Sequence, residues 1–280
     1  MVRYKDIIIC SIVRNAEHGL KKNIPVLKKL CRYFNGYKVF VYENDSIDGT
    51  KQLLKDWALS DPNNVFISLN NVNSSLVIPS QKETGKVNCF FSAKRIERMA
   101  CLRNYYMDYV EQHGWEADYF MVVDLDVALL NLDAILNSFE DRIEWDAVTA
   151  FGYSLSPKLR RRYHDTYALT EYGDENEPQT EHKIKELAVK YGKMKKTDDW
   201  VRVFSAYGGL AIYRFEAIKG LKYYAQPNND RNVEVRCEHF SVYKQMAVRG
   251  FDRVYINPRM TLKYQNLSWK IISNHIKRKL

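Results

Sequence analysis

The sequence lacks any apolar run long enough to cross a bilayer, and it has no low-complexity tract. A membrane-spanning helix needs about 20 consecutive apolar residues, whereas the N-terminal apolar run ends at Val13 and is followed directly by Arg14. The run is also too short for the hydrophobic region of a signal peptide. We therefore expect neither a signal peptide nor a transmembrane segment, and we expect a cytoplasmic protein.

Cysteine is also scarce. The five cysteines are odd in number, widely spaced and free of any CxxC pair, which argues against a disulfide framework and against a zinc site. This usage is typical of a reducing compartment. The chain is rich instead in apolar residues, at 46% of 280 positions, which is enough to form the core of one large domain.

Positive charge is concentrated at the C-terminus. Residues 253–280 carry seven Lys or Arg and no acid, which leaves 36 basic against 34 acidic residues over 1–252. Apolar residues recur there at helical spacing, from Trp269 to Leu280. Such a tail either lies on an anionic membrane surface or packs on its own domain. The nearly neutral body makes a nucleic-acid partner a poorer interpretation.

Strand-like and helix-like segments alternate along the first 69 residues. Residues 6–13, 37–43 and 64–69 read as strands, and residues 24–34 and 51–59 read as helices. This order predicts an α/β domain with a mainly parallel central sheet and helices on both faces. Ligands of such sheets bind at the carboxyl ends of the strands.

A pair of aspartates follows the next predicted strand. After a polar loop over residues 70–93 and a helix over 92–113, the strand 119–123 leads directly to Asp124 and Asp126. Their i, i+2 spacing places both carboxylates on one side of an extended chain. Two neighbouring carboxylates repel each other unless they are neutralised, and a divalent cation prefers oxygen ligands. We therefore expect a site for a divalent cation that also receives a nucleoside diphosphate.

A second polar cluster, VYENDSIDGT, ends the strand that begins at residue 37. The carboxyl ends of parallel strands meet at one edge of the sheet. Its small polar groups are therefore expected near the aspartate pair, where they would hydrogen-bond a base and a ribose.

These segments resemble those of a known enzyme class. SIVRNAE, ENDSIDGT, RIERMACLRN and VVDLDV, in this order, resemble a nucleotide-sugar glycosyltransferase with a single Rossmann-like A-type domain. Together with YHDTYAL, YGGLAIYR and CEHFSVY, they resemble the capsule-associated α-1,3-mannosyltransferase family, glycosyltransferase family 69, over residues 6–262. The resemblance implies transfer of mannose or a similar hexose from a nucleoside-diphosphate donor to a glycan acceptor, with retention and with Mn²⁺ or Mg²⁺ as the metal cofactor.

The resemblance also implies roles for individual residues. The ENDSIDGT segment supplies base or ribose contacts, and VVDLDV supplies ribose and metal contacts. The donor-binding residues implied are Arg14, Asn15, Glu43, Asp45 and Asp124, and the implied metal ligands are Asp126, Asp124 and His239. Arg95 and Arg103 are added as donor-binding residues because guanidinium groups bind diphosphates. Glu238 and Asp165 are the candidate catalytic carboxylates.

Several of these residues also have plain structural interpretations. Arg95 and Arg103 either bind a diphosphate or form surface ion pairs, and His239 is either a metal ligand or a structural histidine. Glu238 acts as a general base on the acceptor hydroxyl or as a salt-bridged acid, whereas Asp165 hydrogen-bonds sugar hydroxyls and acts as the base if the enzyme inverts.

We expect one catalytic domain over residues 1–262, followed by the basic tail at 263–280. Residues 1–130 would form the nucleotide-binding half and residues 131–262 the acceptor-binding half. Three alternatives stay open from the sequence. These are a sugar nucleotidyltransferase, which uses the same metal and diphosphate contacts, a phosphatase with an aspartate nucleophile, and a non-enzymatic binder of anionic ligands that uses the tail.

Overall fold

The sheet is built around the apolar run IIICSIV, which forms strand β1 (Ile7–Val13). Six of its seven residues are buried, as expected for a parallel strand with helices on both faces. The computed structural model describes residues 4–71, 79–85, 88–140, 143–156 and 160–264.

Strands and helices alternate in the first half of the chain, which confirms the predicted α/β class. The other strands are β2 (Tyr37–Asn44), β3 (Val65–Asn70), β4 (Tyr119–Val123), β5 (Ala147–Leu155), β6 (Arg161–Tyr163), β7 (Thr170–Glu171), β8 (Val201–Ser205), β9 (Leu210–Arg214) and β10 (Val254–Lys263). The α-helices are α1 (Glu17–Cys31), α2 (Thr50–Ser60), α3 (Gln81–Thr84), α4 (Ala93–Gln112), α5 (Leu132–Glu140), α6 (Glu181–Tyr191), α7 (Phe215–Ile218) and α8 (Glu238–Val248).

The strands form one sheet in the order β3-β2-β1-β4-β9-β5-β10-β8-β7, with β6 on β5. The first four strands of this order are mutually parallel. Strand β9 then runs antiparallel to both β4 and β5. The sheet is therefore parallel around β1 and mixed beyond β4, and the carboxyl ends of β1, β2 and β4 meet at one edge.

Two hydrophobic cores cover the two faces of the sheet. Ile8 and Cys10 of β1 belong to the core that includes residues of α4 and α8. Ile7 and Ile9 belong to the other core, which includes residues of α1, α2 and α5. Because each buried isoleucine contributes about 1.5–3 kcal/mol, this alternation fixes which residues of β1 face each layer.

Helix α1 begins seven residues earlier than the sequence predicted, at Glu17 instead of residue 24. Pro25 lies inside this helix, where a proline removes one backbone hydrogen bond. In the structure Pro25 lies on the exposed side of α1, while Leu20 and Leu27 pack into the core. The burial of this apolar face compensates for the missing backbone hydrogen bond.

The predicted polar loop at 70–93 also contains short helices, namely α3 and a 3₁₀ helix at Cys89–Phe91. Asn88 starts the 3₁₀ helix, because its side chain accepts a hydrogen bond from Phe90 N (3.3 Å). Ser92 then caps α4 by accepting from Arg95 N (3.4 Å). Local capping therefore orders residues 88–93 of this segment, whose composition alone suggested a loop.

The basic tail lies outside the described residues, apart from Lys263 and Tyr264. Its predicted helix and membrane contact therefore stay predictions, and so does the division of the domain into two halves. Within the described ranges, none of the helices has the length and hydropathy of a bilayer-crossing segment.

Candidate active site

A cleft of about 360 Å³ opens at the carboxyl ends of β1, β2 and β4. These strands contribute Val13, Asn44 and the adjoining Asp124 to its lining. This is the edge at which parallel sheets bind ligands. Eight predicted site residues line the cleft: Arg14, Arg95, Arg103, Asp124, Asp126, Asp165, Glu238 and His239.

The aspartate pair lies on a turn, not on an extended strand as its spacing predicted. Strand β4 ends at Val123, and the chain turns at Leu125 and Asp126. Asp124 N still donates a hydrogen bond to Gly209 O of the neighbouring segment (2.9 Å). The turn, and not the alternation of a strand, places both carboxylates along the cleft.

Helix α1 holds this turn in place. The fully buried Asn23 donates from Nδ2 to Leu125 O (3.0 Å) and Val127 O (2.9 Å). Its Oδ1 accepts from Leu130 N (2.9 Å). One turn earlier in α1, a Cβ added to Gly19 would lie 2.3 Å from Leu125 O. The turn is therefore positioned by a close contact that only glycine permits and by one buried amide.

Two tyrosines fix the carboxylate of Asp124. Tyr207 Oη donates to Asp124 Oδ1 (2.7 Å), and Tyr264 Oη donates to Asp124 Oδ2 (3.2 Å). Burial raises the pKa of Asp124 to about 6, an effect that Arg103 opposes and Asp126 reinforces. The two phenols therefore fix the position of the Asp124 carboxylate. Because burial still disfavours its negative charge, a positive group bound nearby would stabilise the ionised form.

Arg103 and Glu238 form a buried ion pair in the lining of the cleft. Arg103 Nε donates to Glu238 Oε1 (2.9 Å), and the two side chains are only 6% and 4% exposed. Burial disfavours the charged carboxylate, but Arg103 outweighs it and lowers the pKa of Glu238 to about 2. A carboxylate that already binds a guanidinium is a weak base, so this geometry does not support the predicted general-base role of Glu238.

Three side chains bring buried nitrogens to this cleft without a hydrogen-bond partner among the described residues. These atoms are Arg95 Nε, Arg103 Nη1 and both ring nitrogens of His239. The His239 ring stacks on Tyr207, with 4.0 Å between centroids. Burial and the nearby Arg103 lower the pKa of His239 well below its usual range, so the ring is neutral. One of its nitrogens is then a donor and the other an acceptor.

Asp165 is held by an unusual backbone conformation at the side of the cleft. Its φ of 62° lies in the left-handed region, which is uncommon for a residue with a side chain. Burial raises its pKa to about 8, with further contributions from the charges of Glu238 and Asp124. The carboxyl group is therefore mostly protonated at pH 7.

The ENDSIDGT segment leads from the end of β2 into α2 and is hydrogen-bonded to the residues that follow β1. Glu43 is fully buried, and its Oε1 accepts from Ser46 N (2.7 Å). Ser46 Oγ in turn accepts from Asn15 N (2.9 Å). In the described part of the chain the cleft lining includes Asn44 but not Glu43, Asn15 or Asp45. Asn44 is therefore the residue of this polar cluster that lines the cleft.

A divalent cation fits the donor set of the cleft only partly. Asp124 and Asp126 share the cleft with the unpartnered ring nitrogens of His239, and these are suitable donors for Mn²⁺ or Mg²⁺. Among the described residues, however, no group of three or more His, Cys, Asp or Glu side chains is close enough to hold a metal by itself. The remaining ligands of a bound cation would have to come from the nucleotide or from water.

Sequence reasoning missed three residues that organise the site, namely Asn23, Tyr207 and Tyr264. Tyr207 belongs to YGGLAIY, a segment noted for its glycines, and Tyr264 directly follows the last strand. Neither position stands out, because tyrosine is also a common core residue. The aromatic content could suggest such partners only after the fold had placed them beside Asp124.

A family model described as Cryptococcal mannosyltransferase 1 matches residues 6–243. This match covers most of the chain and confirms the family resemblance found in the sequence. A search of curated proteins finds no match.

Two solved structures share the fold. The Pyrobaculum calidifontis mannosyltransferase PcManGT, solved with GDP-Man and Mn²⁺, has 12% identity and a TM-score of 0.50, with 99% of this chain and 61% of that chain covered. Residues 1–349 of S. aureus TarS, solved with UDP-GlcNAc, have 12% identity and a TM-score of 0.51, with 96% and 60% covered. The chain thus spans about 60% of the length of these proteins. At this identity the likeness shows the A-type fold.

Proposed function

We propose that this chain, which belongs to the Cryptococcal mannosyltransferase 1 family, transfers a sugar from a nucleoside-diphosphate donor to a glycan acceptor. We further propose that the sugar is mannose, that the donor is GDP-mannose and that a divalent cation is required. The family favours this reaction over nucleotidyl transfer, phosphatase activity or binding without catalysis.

The observation that carries the proposal is the set of buried, unpartnered nitrogens in the cleft, on Arg95, Arg103 and His239. An unpaired buried donor costs about 1–3 kcal/mol, and more if it is charged. Such a cost is unusual unless a ligand supplies the missing acceptors. A diphosphate offers several acceptor oxygens and the negative charge that two guanidinium groups favour.

Asp126 and His239 are the proposed ligands of the cation, with Asp124 nearby. Both Asp124 oxygens accept from tyrosines, which leaves Asp126, exposed at the cleft, as the better direct ligand. When bound, the cation would neutralise charge that develops on the departing diphosphate. The two tyrosines keep Asp124 fixed, so that its charge adds to the site without direct coordination.

The arginines then bind and orient the departing diphosphate. Arg103 is held by Glu238, and Arg95 lies over the Phe90 ring at 4.0 Å while donating from Nη1 to Phe90 O (3.2 Å). Both guanidinium groups are therefore positioned before the substrate arrives, which avoids reorganisation during the reaction. Glu238 is on this view a positioning residue for Arg103.

Retention is the stereochemical outcome that these carboxyl groups support. An inverting transfer needs a base for the acceptor hydroxyl, but Glu238 is paired with Arg103 and Asp165 keeps its proton near pH 7. In a retaining transfer the departing phosphate can accept that proton. Asp165 would then act as a hydrogen-bond donor to a sugar or phosphate oxygen.

A thermal-shift panel tests the proposal. Wild type, Asp126→Asn and the surface control Asp252→Asn are heated with GDP, UDP, CDP or ADP, with and without MnCl₂. We expect metal-dependent stabilisation by one diphosphate, with GDP as the first candidate, in wild type and Asp252→Asn but not in Asp126→Asn. At a ligand concentration of 100 times Kd the gain is about 2.7 kcal/mol. Absence of stabilisation by every diphosphate in the presence of Mn²⁺ contradicts the proposal.

A further inference from the structure

The backbone of Tyr264 is anchored at the edge of the cleft. Tyr264 N donates a hydrogen bond to Tyr153 O of β5 (3.0 Å), and Tyr264 O accepts from Ala128 N beside the aspartate turn (3.2 Å). The phenol lines the cleft, where its Oη donates to Asp124 Oδ2 (3.2 Å). A fixed backbone still allows a side chain more than one staggered rotamer. The hydrogen bond to Asp124 therefore depends on what contacts the Tyr264 ring.

The ring of His164 covers the ring of Tyr264. The two ring centroids lie 3.5 Å apart and the ring planes are inclined by 19°, so the rings are stacked. His164 also lines the cleft. Burial lowers the pKa of His164 to about 4, so the stack at pH 7 is between two uncharged rings. Such a stack restricts rotation of the tyrosine away from its observed orientation.

The order of strands in the sheet brings these two rings together. His164 directly follows β6 and Tyr264 directly follows β10, and both strands pair with β5. At Tyr153, β5 is paired with the last residue of β6 on one side and with the last residue of β10 on the other. His164 N also donates to Gly152 O (2.8 Å). The backbones that carry both rings are therefore fixed by the same strand.

A glycine confines the Tyr264 ring as well. A Cβ added to Gly209 would lie 3.3 Å from Tyr264 Cε2, which is closer than ordinary van der Waals contact. The φ of Gly209 is 89°, in the region that favours glycine. Gly209 O is also the acceptor for Asp124 N (2.9 Å). The Tyr264 ring thus contacts His164 and lies close to the backbone that holds Asp124.

We propose that His164 is a positioning residue for Asp124, which acts by holding the Tyr264 phenol against the carboxylate. Without the His164 ring, Tyr264 is free to rotate, and Asp124 then keeps only the hydrogen bond from Tyr207. Groups that orient the carboxylates of a metal site affect its affinity even though they do not touch the metal. The use of Mn²⁺ and a diphosphate as ligands of this site rests on the proposed function.

Binding of Mn²⁺ in the presence of GDP, followed by electron paramagnetic resonance of free Mn²⁺, tests this role in the full chain. The variants are His164→Ala, which removes the stacked ring, His164→Phe, which keeps a flat uncharged ring, and Tyr264→Phe, which removes only the hydroxyl. His113→Ala is the matched control, because the His113 ring also stacks on a tyrosine, Tyr109, at 3.9 Å, at the C-terminal end of α4 and outside the cleft lining. Circular dichroism confirms that each variant is folded.

We expect His164→Ala to raise the Kd for Mn²⁺ about tenfold, whereas His164→Phe and His113→Ala should stay within about twofold of wild type. In a Tyr264→Phe background the hydroxyl that His164 positions is absent, so His164→Ala should then change the Kd by less than about twofold. A merely structural His164 would weaken binding by the same factor in both backgrounds, and that result would overturn the proposal. Equal Kd values in His164→Ala and wild type, or in His164→Ala and His164→Phe, would overturn it too.

The same pair of substitutions can be tested on the unfolding equilibrium of the ligand-free protein, which needs neither Mn²⁺ nor GDP. The combined effect of His164→Ala and Tyr264→Phe on the unfolding equilibrium constant should be about fivefold smaller than the product of the two single effects. Independent effects would show that His164 does not hold the Tyr264 hydroxyl against Asp124. Failure of wild type to bind Mn²⁺ and GDP would instead contradict the proposed function, while the unfolding measurement still decides the role of His164.

Discussion

The buried pair between Arg103 and Glu238 allows a quantitative test by the substitution Glu238→Gln. The pKa of Glu238 falls from 4.5 to about 2 in the folded protein, which corresponds to about 3 kcal/mol at 1.36 kcal/mol per pKa unit. In other proteins, removing one member of a buried ion pair lowers the free energy of unfolding by about 3–5 kcal/mol. We therefore expect Glu238→Gln to lower the free energy of unfolding by about 3 kcal/mol at pH 7.

Urea unfolding of wild type and Glu238→Gln between pH 7 and pH 3 measures this difference. Because the pKa of Glu238 is lower in the folded protein than in the unfolded protein, its ionised form stabilises the fold. This contribution is complete above pH 4.5, the unfolded pKa, and is lost as the pH falls towards 2. The difference in the free energy of unfolding between wild type and Glu238→Gln should therefore decrease to about 1 kcal/mol at pH 3. Asp252→Asn is the control, since Asp252 pairs with Arg202 at 2.8 Å on the surface and should cost less than about 1 kcal/mol.

The same variant separates the two roles considered for Glu238. A positioning residue should affect nucleotide binding, because Arg103 loses the partner that orients it, whereas a general base should affect only the transfer step. We expect weaker diphosphate binding in Glu238→Gln. A variant as stable as Asp252→Asn, with unchanged diphosphate affinity and no transfer, would refute the positioning argument.

Three further substitutions test other parts of the cleft. Asp165→Asn should remove the inflection near pH 8 from the pH dependence of transfer, because wild-type Asp165 loses its proton only as the pH rises through about 8. Asn23→Ala removes three hydrogen bonds around the aspartate turn and should lower the free energy of unfolding by about 3 kcal/mol, and also weaken Mn²⁺-dependent nucleotide binding. His239→Phe should raise the melting temperature of the ligand-free protein while abolishing that binding, because it removes two unpartnered buried nitrogens.

The strands near the site follow directly from the sequence. The predicted strand at 119–123 has the observed bounds of β4, and the helix predicted at 92–113 is observed as α4 at Ala93–Gln112. Both rest on local properties, namely a short buried apolar run and a helical repeat of apolar residues. The start of α1 at Glu17 did not follow from the sequence pattern, because it depends on the packing of residues such as Leu20 against distant parts of the core.

The arrangement inside the cleft depends on contacts between residues far apart in the chain. Asn23 meets the aspartate turn more than 100 positions later, and Arg103 meets Glu238 at a separation of 135. No local pattern specifies such pairs, because they arise from the order of strands in the sheet. The sequence could therefore identify Glu238 as a candidate general base, but it could not show that the Glu238 carboxylate forms an ion pair with Arg103.

The polar residues of the cleft form one connected structure. Glu238 holds Arg103, which lies over the Tyr207 ring at 4.9 Å, and Tyr207 both stacks on His239 and binds Asp124. The effects of substitutions at two of these positions should therefore not add, since groups in a shared network are not energetically independent. Arg103 and His239, which carry the unpaired nitrogens of this network, both line the cleft. We therefore expect the cost of these nitrogens to the free protein to be recovered when a diphosphate and a cation bind. That coupling is why stability of the ligand-free protein and affinity for a diphosphate should change in opposite directions on His239→Phe.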